Sequence, residues 1–239
     1  MQANRTHDGN GRDPRLVEGV LSSLPFFRQV ARCHVGTVAS QARIQYARRG
    51  AAVCRHGEPM PGVIAVGYDI MKLALRGNEG SERVVRFLRA SKTFGESAAL
   101  LGRVSPVDIV ALEDSMVAVV PPAPLLRLLE LDPTFARNVV WSLGEGFLAL
   151  LDGLQASSQQ NSVQRFTVFL ESLLSASSDA HGEATVRLPA SKTVVAARLG
   201  ITKETLSRLL RELAGQGLIS VSGREIRVLD RAGLGQAGD

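Results

Sequence analysis

Apolar positions along the chain follow three rhythms, and each predicts a different kind of element. From Leu16 to Ala39, residues Val17, Val20, Leu21, Leu24, Val35 and Val38 recur mostly at intervals of three and four, as in short helices with one buried face. From Ala42 to about Pro121 the rhythm breaks into short runs: Ile44 to Tyr46, Ala51 to Cys54, Val63 to Val66, Ile70 to Leu75, Val84 to Leu88, Val107 to Leu112 and Met116 to Val120. Turn residues separate them at Arg49-Gly50, His56-Gly57-Glu58-Pro59, Gly77-Asn78-Glu79-Gly80 and Glu113-Asp114, which predicts an antiparallel sandwich or roll. Beyond Pro133, suited to a first helical turn, Val140, Leu143, Phe147, Leu150 and Leu154 repeat at three and four over a long helix. Two such helices side by side would bury a continuous seam, so the stripe predicts a parallel dimer; packing on the chain's own β domain is the alternative.

The last third has a denser pattern. Ala156 to Ser162 is rich in Ser and Gln and is read as a hinge to a helix over Val163 to Leu174. Ala190 to Arg211 then reads as two short helices joined at Leu199-Gly200-Ile201. Val194, Val195 and Leu199 form the inward face of the first, with Lys192 and Arg198 in water. Thr202 is the expected N-cap of the second, Thr205 lies in its first turn, and Leu206, Leu209, Leu210 and Leu213 form its buried stripe. Lys203, Glu204, Ser207, Arg208 and Arg211 are left facing outward. These are groove-reading side chains: Arg forks onto guanine, a carboxylate accepts from cytosine, and Ser reaches base edges or phosphate. Ile219 to Val221 and Glu225 to Val228, with Ser222-Gly223 between them, predict a hairpin that places Arg224 at a wing tip. The prediction is a winged helix-turn-helix.

Charge supports this. The 239 residues hold 28 Lys and Arg against 23 Asp and Glu, a net charge of +5. Arg187 to Arg231 alone carries nine basic and four acidic side chains, so the whole excess sits in the predicted DNA module. Met1 to Pro14 is polar and charged, unlike a signal peptide, and no run of about 18 apolar residues is present to span a bilayer, so a cytoplasmic location is expected. Cys33 and Cys54 are too few for a disulfide framework, a structural zinc or an iron-sulfur cluster, and both are expected as buried reduced thiols.

The order of β roll, long helix and winged helix resembles the Crp/Fnr family of bacterial transcription regulators, from about Leu21 to Leu234. RRGAAVCRHGEP at Arg48 to Pro59 resembles the family's first β-roll corner, and FGESAALL at Phe94 to Leu101 its Phe-Gly-Glu effector segment. GITKETLSRLLRELAGQGLIS at Gly200 to Ser220 resembles its recognition helix and the start of its wing. The resemblance implies an α+β chain: a mobile tail over 1–15, a cyclic-nucleotide-binding-like antiparallel β-roll sensor over 16–132, a dimerisation helix and hinge over 133–159, and a winged-helix DNA-binding domain over 160–239. It implies a homodimer on palindromic double-stranded DNA, with RNA polymerase as a further partner. Glu204, Ser207 and Arg208 match the Glu-x-x-Ser-Arg set that reads TTGAT-like half-sites. Lys192, Thr202, Lys203, Thr205, Arg211 and Arg224 complete the expected DNA contacts.

The effector pocket implied by the resemblance comprises Gly95, Glu96, Ser97, Arg103 and Ser105. The Arg-Ser pair that holds a cyclic phosphate in the nucleotide-responsive branch aligns here with Pro106 and Val107, which argues against cyclic AMP. The tail lacks the cysteines of the iron-sulfur branch. VRLPASKTVVAARLGITKETLSR and SGREIRVLD are similar to the nitric-oxide-responsive regulators of denitrification, which suggests haem. Its candidate axial ligands are Cys33, His34, Cys54, His56, Met60, Met71 and His181, and no motif selects among them.

Two other classes compete. Gly95-Glu96-Ser97-Ala98-Ala99 approaches a nucleophile elbow, and Asp132 and His181 follow in esterase order. An elbow, however, needs a parallel strand leading into a helix, and Ser97 is read as lying among short antiparallel strands, so no enzyme is expected. A ligand-binding module that never meets DNA would lack salt-dependent binding to a duplex.

Overall fold

Asp13 caps helix α1 (Pro14–Ser22): its side chain accepts from the Leu16 amide at 3.1 Å, and Pro14 sits in the first turn, where its missing N–H costs nothing. The computed structural model describes residues 11, 13–77, 82–159, 161–175 and 184–237. Pro14 and Arg15, expected in the tail, are therefore helical; the rest of that tail lies outside the described residues except 11 and 13. A 3₁₀ turn (Pro25–Phe27) and helix α2 (Arg32–Ala39) follow, as the helical spacing predicted.

The strands are β1 (Arg43–Ala47), β2 (Ala52–Cys54), β3 (Val63–Tyr68), β4 (Met71–Arg76), β5 (Glu82–Leu88), β6 (Thr93–Phe94), β7 (Asp108–Ala111) and β8 (Ser115–Val120). They form two four-stranded sheets, ordered β1-β8-β3-β6 and β2-β7-β4-β5. The ladders β1/β8, β3/β8, β3/β6, β2/β7 and β4/β7 are antiparallel. Strand β8 is buried along its whole length because its two faces serve two cores. Met116, Ala118 and Val120 pack with the helices, whereas Val117 and Val119 point into the roll. Strand β3 divides in the same way, Val63 and Ala65 from Ile64 and Val66. A continuous apolar run is what a strand covered on both sides requires.

Two short helices in this part of the chain escaped the pattern reading. Helix α3 (Glu96–Leu100) is a single turn or so, and α4 (Pro122–Leu131) begins with two prolines that read as punctuation but are tolerated in a first turn. Ser97, expected among strands, is thus on a helix. The long helix α5 (Pro133–Gln159) starts where predicted; its 27 residues span about 40 Å.

Two compact units part within α5, between Leu148 and Ala149. The second contains α6 (Ser162–Ser175), β9 (Ala184–Arg187), α7 (Lys192–Leu199), α8 (Lys203–Gly215), β10 (Ile219–Ser222), β11 (Glu225–Val228) and α9 (Arg231–Gln236). Asn161 and Gln164 cap α6 reciprocally, each side chain accepting the other's amide at 2.9 Å. The hinge expected over Ala156 to Ser162 is therefore shorter, since α5 runs to Gln159 and α6 starts at Ser162. The core of this unit gathers Phe166 and Leu170 of α6, Val195 and Leu199 of α7, the four leucines of α8, and Ile219, Ile226 and Val228 of a sheet ordered β10-β11-β9. Arg231 braces α9 on α6 through a two-pronged pair with Glu171, at 2.6 and 3.1 Å.

Candidate nucleic-acid interface

The turn between α7 and α8 follows from three residues. Ser191 caps α7 by accepting from the Val194 amide. Gly200 ends it with φ +67°, a left-handed conformation in which a side chain would cost about 1–2 kcal/mol. Thr202 then caps α8, its hydroxyl accepting from the Thr205 amide at 3.1 Å. Leu206, Leu209, Leu210 and Leu213 are buried, so the opposite face of α8 must point to water. Lys203, Glu204, Arg208 and Arg211 are exposed there, with Ser207 half-buried between them. The structure brings the five predicted groove-reading residues onto one face.

The other residues expected at the DNA have local duties. Thr202 and Thr205 are joined through their hydroxyls at 3.0 Å at the start of α8, and Lys192 is half-buried in the first turn of α7. Arg224 lies at the wing tip beside Gly223, φ +60°, but its guanidinium donates twice to the Leu188 carbonyl, at 3.1 and 3.3 Å. It braces the wing onto the chain leading to α7. The third wing strand, β9, was missed because four residues of ATVR carry little periodicity; its register sets exposed Arg187 opposite Glu225.

In the first unit the effector segment starts at Gly95, φ +92°, which leads from β6 into α3. Glu96 is half-buried, and Ser97 and Arg103 are exposed. Ser105 is buried with its hydroxyl donated to the Val107 carbonyl at 2.7 Å. The segment is laced to the loop before β3: the Gly57 amide donates to the Ser105 carbonyl at 2.9 Å, and the Ser105 amide to the Glu58 carbonyl at 2.8 Å. At the position aligned with the phosphate-binding pair, Pro106 is exposed and Val107 is packed into the roll. Next to it stands a carboxylate that sequence reasoning did not single out. Asp108 is 5% exposed, accepts from the His56 amide at 2.8 Å and pairs with Arg76 at 2.7 Å. Burial pushes its pKa up, but the His56 amide and Arg76 outweigh burial and hold the carboxyl below its ordinary value.

Asp132, considered above as a triad member, has a different task. Its Oδ1 caps α5 by accepting from the Thr134 and Phe135 amides, and its Oδ2 meets His34 Nδ1 at 3.0 Å. His181 lies outside the described residues. The Phe135 amide first, then the His34 contact, hold the Asp132 carboxyl below the usual range. A depressed folded pKa means that the cap contributes fully above the unfolded carboxylate value and is lost as pH falls through the folded one. Asp132→Asn is therefore expected to lower the melting point of the first unit at neutral pH and to flatten its acid dependence. An unchanged acid profile, followed by near-ultraviolet circular dichroism, would contradict this role.

The haem candidates are dispersed. Cys33, expected to be buried, is exposed on α2, and His56 is exposed in the β2–β3 loop, while His34 is bonded to Asp132. Cys54 and Met71 are buried in the close-packed roll, and Met60 packs beside Gly95. Among the described residues no three His, Cys, Asp or Glu side chains form a metal-holding group, and no helix is long and apolar enough to cross a membrane.

Comparison with known proteins agrees with both units. A cyclic nucleotide-binding domain model matches residues 44–132, and a Crp-like helix-turn-helix domain model matches residues 164–237. The transcriptional activator protein FnrA of Stutzerimonas stutzeri is 28% identical over 189 residues, covering 78% of this chain and 77% of that protein. The transcriptional regulatory protein btr of Bordetella pertussis is 29% identical over 202 residues, covering 79% and 78%. FixK2 from Bradyrhizobium japonicum shares the fold, with a TM-score of 0.72 and 24% identity over 83% of this chain and 97% of its own. These relatives are regulators, and no catalytic family is indicated. A roll of the cyclic-nucleotide-binding kind followed by a Crp-like helix-turn-helix gives this chain the make-up of a Crp/Fnr-type DNA-binding transcription regulator.

Proposed function

We propose that the protein binds a palindromic promoter site with TTGAT-like half-sites as a homodimer, placing one α8 in each of two successive major grooves and acting with RNA polymerase in the cytoplasm. The observation that carries this is the exposed set Glu204, Ser207 and Arg208, held outward by the buried leucines on the other side of α8. The dimer is supported by α5, on which Val140, Phe147 and Leu150 are 69%, 61% and 57% exposed and Leu143 is 37% exposed. Apolar side chains in a row along one helix mark a contact surface. Leu154, the last of that stripe, has a side chain outside the described residues.

The test is fluorescence anisotropy with inverted TTGAT half-sites at a series of spacings near one helical turn, beside a scrambled duplex, at several salt concentrations. Specific binding to one spacing is expected, with the logarithm of affinity falling linearly in the logarithm of salt, by about 0.9 per phosphate neutralised. Equal affinity for the scrambled duplex at every salt concentration would sink the proposal.

For the effector, Pro106 and Val107 argue against a cyclic phosphate, because neither side chain offers the guanidinium or hydroxyl that would hold it. The similarity of α7, α8 and the wing to the nitric-oxide-responsive branch lies in the DNA-binding unit, so it supports a shared half-site more than a shared haem sensor. The described donors do not suit a haem within the roll: Cys54 and Met71 are part of its packed core, and His34 is engaged by Asp132. Titration with haem is accordingly expected to leave a free-haem spectrum. A Soret band that shifts with nitric oxide would restore the gas-sensing reading.

A further inference from the structure

Gly95, the glycine of the Phe-Gly-Glu segment, takes φ +92°, a conformation that residues with side chains rarely adopt, and Met60 lies over it. A Cβ added there would run into Met60 Cε, with Met60 Sδ at 3.2 Å and the Gly62 carbonyl oxygen at 3.4 Å. The space over Gly95 is thus occupied by a side chain of this same chain. Met60 also has an unusual position between the cores. It packs against the roll-interior cluster, to which Cys54, Leu73, Val107 and Ile109 belong, and against the helix-side cluster, to which Ala99, Phe135 and Val139 belong. Among the described residues it is the partly buried side chain common to both clusters. Its backbone is pinned as well: the Met60 amide donates to the Arg103 carbonyl at 3.4 Å, and Pro59 bridges Val104.

We propose that Met60 is a built-in substitute for a diffusible effector, joining the roll interior to the base of α5 through Gly95 and holding the regulator in its DNA-binding arrangement without added ligand. Three features of the site support one another. The phosphate-binding pair is replaced by Pro106 and Val107, the neighbouring Asp108 is committed to Arg76, and the effector glycine is covered by an unbranched thioether that adapts to irregular gaps. A ligand shifts a two-state protein only through contacts that differ between the states. A tethered side chain that makes those contacts shifts it permanently, at no cost in association entropy.

The inference rests on the proposed DNA binding, and the test separates the two. Binding of the full chain to the inverted TTGAT duplex is measured with no addition, with cyclic AMP and with cyclic GMP, for wild type, M60A, M60Q and M60L. Wild type is expected to bind without nucleotide and to be unaffected by either one. M60A is expected to bind about 5- to 150-fold more weakly, the usual range of coupling between sites, while M60L, which conserves volume, stays close to wild type. M60Q keeps the length and loses the apolar contact, so it is expected to fall between them, and it serves if M60A does not fold by circular dichroism. Folded M60A or M60Q binding as tightly as wild type overturns the role of Met60, as does wild type that binds only with a cyclic nucleotide. Wild type that binds no duplex under any of these conditions removes the DNA-binding proposal itself.

Discussion

Arg208→Ala is expected to weaken discrimination between the TTGAT palindrome and a scrambled duplex strongly while leaving the fold intact. Arg208 is exposed on α8, one turn beyond Glu204 and next to Ser207, whereas the residues after it, Leu209 and Leu210, are in the core. Removing its guanidinium leaves no cavity, so the melting point should scarcely change. A bidentate contact to guanine is worth about 1–3 kcal/mol, and a dimer that loses one in each half-site loses about twice that if the two act independently. Anisotropy titrations on both duplexes read the effect. A uniform loss on both would reassign Arg208 to phosphate, and no loss on either would remove it from the interface.

Phe135→Ala is expected to have the largest effect on stability. Phe135 is 1% exposed in the first turn of α5, and its ring centroid lies 5.2 Å from that of Phe27 in a tilted pair. Truncating a buried phenylalanine costs about 3–5 kcal/mol, a large part of the roughly 5–15 kcal/mol that holds a typical domain. Since Phe135 belongs to the helix-side core of the first unit, calorimetry should show that unit's transition moving down in temperature while the second unit's transition stays in place. A shift of both transitions together would show that the two units unfold as one. Asn138 reinforces the same junction by donating to the Phe26 and Arg28 carbonyls at 3.1 and 2.8 Å, so part of the loss would appear as a looser base of α5.

These two predictions stand on opposite kinds of knowledge. The face of α8 follows from the sequence because a helix is a local object: leucines at intervals of three and four settle which side is buried, and Arg208 is then on the other. The same holds for Gly200, Thr202 and the start of α5 at Pro133. Strand existence was legible for the same reason, since alternation and turn residues are local. Helices α3, α4 and α9 and strands β6 and β9 were not, because helices of five or six residues, two leading prolines and strands of two or four residues carry too little periodicity to stand out.

What the sequence determined by itself is the list of elements that announce themselves locally, the concentration of basic charge in the last third, and which face of α8 points outward. Tertiary structure decided the rest, because it depends on residues far apart in the chain. Only folding brings Arg76 to Asp108, His34 to Asp132 and Met60 onto Gly95. Each of those contacts is made across sheets or between a helix and a loop, where spacing along the chain has no fixed relation to distance. The exposed face of α8 is written in one helix, but these contacts are assembled from separate segments.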